Sequence, residues 1–429
     1  MPPPGNAAVT EGQPPSNTRP VHIAFFREAS QYPDQSAEYN AILAGLLTLR
    51  LLDKWAVPGE GARSLGRLYE FSAVRRSIRA VPDGAAKELL RRLVSAISAY
   101  VSGRNDERLA LVIDYARLLE RDSYWDCASD TYETAIGMVD DRALDRSLLP
   151  QWYQRAAFCR RQAGDVRGAE PLLLKGQAVA NELHDVYWGF RLRIAMALLE
   201  LQRGNLSAAE EQLDRIIADA KRSDLPEIVA RATHDRGQVA YARNQDDVAA
   251  TLYFGAMMMH RDPALARRAA LDLAVALGDL GHFPHALKVC RALRGSAEDG
   301  TDIRTIAGIN LMRLFHLDGN AAAFDRLYTE LRDERMTGRL RAHYLLTASQ
   351  GLKRFGRIEE AREAAQQALD VAERYHVRKL VTDARTLLGT TEDVHRSTVW
   401  NEDRVRANLT PIFEAIDAKR GPLAGTVAA

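Results

Sequence analysis

Cysteine is scarce. Cys127, Cys159 and Cys290 are the only three in 429 residues, and none stands in a CxxC pair. So odd and sparse a set suits a reducing cytosol better than a disulfide framework, so a cytoplasmic location is expected. Aromatic residues make up only 7%, fewer than strand-rich sandwiches and barrels use to cover their pleated faces. No run of about 18 apolar residues is present, which argues against a membrane-spanning helix. The N-terminus has neither the basic start nor the apolar core of a secretory signal. Lysine is nearly missing: 8 of the 58 cationic residues are Lys and 50 are Arg, which with the abundant Ala is the usage of GC-rich bacterial genomes. The 57 acidic residues leave a net charge of +1, so no global field gathers nucleic acid or an anionic membrane.

Catalytic signatures are missing as well. The chain has no HExxH, no GxxxxGK[ST] phosphate loop, no strand-linked GxGxxG and no GxSxG. The expectation is a protein that is not an enzyme and needs no cofactor. His282 and His285 with Cys290 have metal-ligand chemistry, but a zinc site needs a fuller set, and Cys290 suits a packed helix row as a small apolar residue. No metal is therefore expected. Met257, Met258 and Met259 form a soft run, read as core or groove lining because consecutive helix residues point in different directions.

Against these absences stands a nearly uninterrupted helical pattern. Six of sixteen prolines fall in residues 1–20, too polar a stretch to offset its ordering entropy, so 1–35 reads as a disordered Pro-rich tail and lead-in. From residue 36 onward, Ala, Leu, Arg and Glu dominate and apolar residues recur at three- and four-residue spacing. Helices are expected over 36–56, 61–80 and 84–103, an N-terminal bundle within 36–105, and again over 377–389 and 400–418, a C-terminal cap followed by a tail to 429. The fold class is all-α.

Between these segments the chain repeats. GDVRGAEPLLLKGQA (164–178), GNLSAAEEQLDRIIA (204–218), GHFPHALKVCRALRG (281–295) and GRIEEAREAAQQALD (356–370) each place an Ala five residues after a Gly. The Gly can end one helix in the left-handed conformation, and the Ala lets the next helix cross it closely. Aligned on that residue, seven anchors emerge: Ala128, Ala169, Ala209, Ala249, Ala286, Phe324 and Ala361. Twelve residues earlier lies a second small site: Ala116, Ala157, Ala197, Gly237, Ala274, Met312 and Ser349. Tyr132, Leu173, Leu213, Tyr253, Cys290, Tyr328 and Ala365 follow each anchor by four, and Ala135, Gly176, Ile216, Ala256, Leu293, Leu331 and Ala368 by seven.

These rows resemble the tetratricopeptide repeat (TPR) over about residues 106–376. The family's small positions match the rows beginning with Ala116, Ala128 and Ala135. The family's Pro near the repeat end is absent, and the anchors recur every 37–41 residues rather than the ~34 of the family pattern, similar to long-repeat bacterial regulators. The resemblance implies about seven antiparallel helix pairs in 106–376, stacked as a right-handed superhelix, or α-solenoid.

In the TPR pattern the first helix of each pair lines a concave groove. Carried onto this chain, the groove positions hold Arg117; Gln154 and Arg155; Arg191; Arg231, His234, Asp235, Gln238 and Tyr241; Arg268 and Asp272; Asn310, Arg313 and His316; and His343, Gln350 and Lys353. Arg191, Arg231 and Arg268 share one position in three successive repeats, a ladder suited to carboxylates or phosphates. The same arginines have a second reading, as a solvated face paired with neighbouring Asp and Glu. The family's clamp for a C-terminal carboxylate is not carried over, because Gln, Ile, His and Leu occupy several of its positions.

The resemblance implies a protein-interaction scaffold that binds a partner peptide or helix, one that is acidic if the ladder is used. The alternative is a peptide- or ligand-sensing bacterial regulator whose repeats control the N-terminal helices, where Arg75, Arg76, Arg79, Arg91 and Arg92 make a basic segment. Nucleic acid is disfavoured by the near-neutral charge, no membrane partner is expected, and oligomeric state is left open.

Overall fold

The computed structural model describes residues 22–55, 65–101, 107–140, 146–298, 301–334, 336–375, 377–389 and 402–418. Among the described residues every regular element is a helix. The expected tail over 1–21 lies outside them, as does the C-terminal tail beyond 418. The chain separates into two compact units, Met1–Leu118 with Asp126–Asp141, and Leu119–Trp125 with Arg142–Ala429.

The first unit holds α1 (Ile23–Ala29), α2 (Ala37–Lys54), α3 (Leu65–Ala80), α4 (Ala85–Val101), most of α5 (Arg108–Arg121) and α6 (Trp125–Asp140). Ser36 starts α2 by accepting the Tyr39 N–H at 3.1 Å. Leu90, Leu93 and Ile97 of α4, spaced by three, four and seven residues, are all fully buried. Helix α1 occupies the lead-in that precedes residue 36. Phe25 is fully buried and stacks on Tyr115 with centroids 6.5 Å apart. The His22 imidazole bridges Asp130 and Asp53, with 2.9 Å on each side. Seven residues are too few to show a helical period, which is why the sequence pattern passed over α1.

The second unit is a run of helix pairs: α7 (Leu149–Gln162) with α8 (Val166–Glu182), α9 (Val186–Arg203) with α10 (Leu206–Arg222), and α11 (Pro226–Ala242) with α12 (Asp246–Met259). There follow α13 (Pro263–Asp279) with α14 (Phe283–Ser296), α15 (Asp302–Leu317) with α16 (Ala321–Arg332), and α17 (Gly338–Arg354) with α18 (Ile358–Arg374). Gly164, Gly204, Gly281, Gly319 and Gly356 end the first helices with φ between 77° and 84°. Asp165 and Asn320 then open α8 and α16 by accepting backbone N–H groups at 2.8 and 3.1 Å.

The small rows sit at the crossings. Ala157, Ala197 and Ala274 on the first helices, and Ala169, Ala209, Ala249 and Ala286 on the second, are at most 2% exposed. Where one side grows, the other shrinks. Phe324 stands at a small anchor position and is fully buried, because Gly351 of α17 lies beneath its ring and leaves the space a Cβ would fill. Ser349 donates its hydroxyl to the Ala361 carbonyl at 2.7 Å, tying α17 to α18.

Successive first helices pack on one another, α7 on α9, α9 on α11, α13 on α15 and α15 on α17, whereas no comparable contact joins one second helix to the next. The unit is therefore an α-solenoid of TPR-like pairs that curves with its first helices inward. Helix α19 (Arg378–Gly389) continues the stack on α17 and α18. Helix α20 (Glu402–Asp417), expected to cap the last pair, packs instead on α12 and α14. There Leu409, Ile412 and Ile416 are buried, Phe413 stacks on His285 at 4.0 Å, and Lys288 meets Asp417 at 2.6 Å. The amphipathic pattern identified the helix, but no feature of it names the surface its apolar face covers.

Candidate functional site: the inner face of the second unit

The first helices bring most of the expected groove residues onto one wall, and the structure sorts them into two groups. One group joins neighbouring helices. Tyr241 of α11 donates its hydroxyl to Asp279 of α13 at 2.7 Å, and Arg313 of α15 reaches the same carboxylate. His234 of α11 meets Asp272 of α13 at 2.7 Å and lies edge-on to Tyr253, 4% exposed. Gln238 donates to Asp235 at 3.3 Å, and Arg231 pairs with the same carboxylate at 3.4 Å. Arg155 is bonded to Glu120 at 3.1 Å. His234 and Asn310, expected in the groove, are buried, as is His316, because the helix radius turns them toward the next layer. Arg117 belongs to the first unit, where it is exposed and bonded to Asp114 at 3.3 Å.

The other group is made of guanidinium groups that no carboxylate meets among the described residues. Arg191 is half-buried, donates to the Tyr187 hydroxyl at 3.3 Å and lies over the Trp188 ring at 5.5 Å. Arg268 is exposed and makes no ion pair among the described residues. Two further members join them: Arg161 follows Ala157 by four residues as Tyr241 follows Gly237, and so stands at a groove position, while Arg339 lies before the pattern begins. Arg161, seven residues after Gln154 on α7, lies 5.5 Å from the Phe158 ring, and Arg339, four before His343, opens α17. Spacings of seven and four keep a residue on one helix face, the signal that could have found both. Many other arginines of the unit are paired, among them Arg203 with Glu200 at 2.6 Å, Arg243 with Glu210 at 2.7 Å, and Arg357 with Asp325 and Glu360 at 2.7 and 2.6 Å, whereas Arg167, Arg261 and Arg326 are exposed with no ion pair among the described residues.

These cations sense one another. Burial, and then the charges of Arg231, Arg339 and Arg268 against a partial offset from Asp235, hold the Arg161 guanidinium below its ordinary value. Burial and then Arg231 do the same to Arg191, and burial and then Arg268 to Arg339. His343 is pushed down to about 4, by burial first and then by Arg339, Arg313 and Lys379. Arg339 and Arg268 are nonetheless open to water. A neutral His343 beside Arg339 avoids adding to the positive charge. Gln350 and Gln154 are half-buried on the same series of helices.

Other candidates are taken up by packing. His282 and His285 both lie against Phe413, at 4.8 and 4.0 Å. Cys290 is fully buried, and burial pushes its thiol up to about 12. Met257 is buried, whereas Met258 and Met259 are exposed on α12.

No family model matches the chain, and no curated protein matches it. Among solved structures, it is similar to the Rap conjugation gene regulator of the plasmid pLS20 in complex with the Phr* peptide, at 11% identity and a TM-score of 0.48, with 82% of this chain and 99% of that chain covered. A Rap protein complexed with competence and sporulation factor aligns at 11% identity and a TM-score of 0.46, covering 81% and 100%. A signal-transduction ATPase with numerous domains (STAND) from Pyrococcus horikoshii, which carries a tetratricopeptide repeat sensor, aligns at 14% identity and a TM-score of 0.40, covering 92% and 70%. No helix among the described residues is long and apolar enough to cross a membrane. The fold is legible from the helix pairs themselves.

Proposed function

We propose that the second unit is a protein-interaction module whose inner face receives a peptide or helix from a partner protein, so that the chain acts as a scaffold or adaptor rather than as an enzyme. One observation carries this reading: Arg161, Arg191, Arg268 and Arg339, all on first helices, have no carboxylate partner among the described residues, whereas Arg155, Arg193, Arg236 and Arg313 on the same series of helices are ion-paired. A folded chain with nearly as many acids as bases has the means to neutralise these groups. Leaving them open keeps charge-assisted donors for a ligand.

The test is affinity capture from the native host's lysate with the wild type and with Arg191→Glu/Arg231→Glu/Arg268→Glu side by side. A protein held by the wild type and lost by a folded variant supports the reading. Equal capture by both assigns the ladder to a solvated face.

A regulator is the second reading, favoured by the first unit. Arg75, Arg76, Arg79, Arg91 and Arg92 are all exposed on α3 and α4 without an ion pair among the described residues, beside the exposed Leu68 and Tyr69. Such a surface fits an acidic output partner. A regulator changes hydrogen exchange in α3 and α4 when the inner face is filled, and a scaffold does not.

A further inference from the structure

We infer that the groove between α12 and α14 is a second binding surface, a receptor for an amphipathic helix of a partner protein, and that α20 fills it in cis until such a helix takes its place. The groove starts from the composition of α12. Between Asp247 and His260 the chain has no charged residue, so this second helix is apolar on every side. Its counterparts turn charge to water, α10 with Glu211, Asp214 and Arg215 and α18 with Glu359, Glu360 and Arg362. A helix that is apolar all round has to be covered all round. First helices α11 and α13 pack on α12 from within the stack, and α20 packs on α12 and α14 together.

The seating has the form of helix-in-groove recognition, in which side chains at i, i+3, i+4 and i+7 enter the receptor. Leu409, Ile412 and Ile416 are buried at the first, second and fourth of these positions. Phe413 takes the third, with the His285 and His282 rings against it at 4.0 and 4.8 Å. One residue further on, Asp417 accepts from Lys288 of α14 at 2.6 Å, an ion pair that remains half-exposed and fixes the direction of the helix.

Three features mark α20 as an occupant rather than a layer of the stack. Helix α19 continues the array on α17 and α18, whereas α20 returns to the third and fourth pairs of the unit. Its only link to the array in sequence is the twelve residues between Gly389 and Glu402. Pro411 stands inside it, removing an N–H from the helix ladder and crowding the carbonyl four residues back. A helix that is costly to form holds its groove loosely, and a partner helix without the proline is the better ligand. The seat defines that partner: three aliphatic side chains and one aromatic at these positions, with a carboxylate at i+8. Met258 and Met259, exposed at the end of α12, leave adaptable apolar surface for a longer ligand. This surface is separate from the inner face, so either reading can fail without the other.

Fluorescence anisotropy with the full chain and a labelled synthetic peptide of residues 402–418 tests this. Ile412→Asp/Ile416→Asp in the chain keeps its own α20 from docking. The expected result is saturable one-to-one binding of the peptide to this variant and binding at least about tenfold weaker to the wild type, whose tethered α20 competes at high local concentration. A Pro411→Ala peptide should bind more tightly than the native sequence. An Asp417→Lys peptide should bind more weakly, with Lys288→Asp in the chain restoring it. If the double variant does not fold, Asp417→Lys in the chain takes its place. That change loosens only the exposed ion pair, and the native peptide should bind about two- to fivefold more tightly than to the wild type. A folded variant that leaves the peptide unbound, or wild type and variant that bind it alike, overturns the inference. Wild-type dimers seen by light scattering and abolished by the double variant overturn the partner in favour of the α20 of a second copy.

Discussion

Gly237 of α11 lies against the ring of Tyr253 on α12, so that a Cβ at residue 237 would stand 2.7 Å from ring carbons Cδ1 and Cε1. The small site on the first helix and the bulky one on the second are thus a matched pair. Gly237→Leu is expected to overpack this crossing and cost about 1–3 kcal/mol, read as a lowered urea midpoint. Combining it with Tyr253→Ala should recover part of the loss. Strict additivity of the two changes would show that the residues do not share the space.

His22 makes a pH-dependent contribution to the first unit. Burial pushes its imidazole down, but hydrogen bonds to Asp130 and Asp53, with the charges of both carboxylates, outweigh this and raise its pKa from 6.5 to about 9. A group whose folded pKa is raised stabilises most when protonated. The contribution is therefore complete below about pH 6.5 and is lost as pH rises through about 9. A rise of this size corresponds to about 3 kcal/mol. The stability gap between wild type and His22→Gln should be widest at pH 6 and narrow toward pH 10. A gap that does not vary with pH would mean the imidazole stays neutral.

Arg294 is 9% exposed and fastens three helices, bonding Glu330 at 2.6 Å, Glu334 at 2.8 Å and the Arg304 carbonyl at 3.2 Å. Arg294→Met removes the donors and leaves both glutamates unpaired. They stand near the surface, so the expected loss is about 1–3 kcal/mol, below that of a fully buried pair. Thermal unfolding checks it. Arg294→Lys should restore only part, since its single nitrogen cannot stand both where Nη2 meets the two glutamates and where Nη1 meets the Arg304 carbonyl.

The positive charge of the inner face can be read at His343. Its pKa of about 4 owes part of its depression to Arg339, Arg313 and Lys379. Arg339→Gln removes one of these charges and should raise the value, followed as the ring proton shift in an NMR titration. No movement would mean that Arg339 turns away from His343 in solution.

Much of this architecture was written in the residue order. The Gly-to-Ala spacing located the crossings because only a left-handed turn followed by a slim helix face lets two helices approach so closely, and Gly204 with Ala209 does this in the structure. Helix positions followed from local periodicity, which needs a span of several turns; α1, with seven residues, is too short to show it. The position-specific pattern found Arg191, Arg231 and Arg268, and it passed over Arg339 because α17 begins before the pattern does.

The sequence by itself determined what depends on neighbours within about one repeat: the helices, their pairing, and which side of each pair is small. Only the tertiary structure decided what depends on curvature. The stacking of successive first helices brings Tyr241 and Arg313 onto the one Asp279 carboxylate and buries His234 against Tyr253 instead of presenting it, and α20 settles on α12 and α14. Such contacts join residues many helices apart, where small rotations at each pair accumulate into a single geometry, and no local pattern carries their sum.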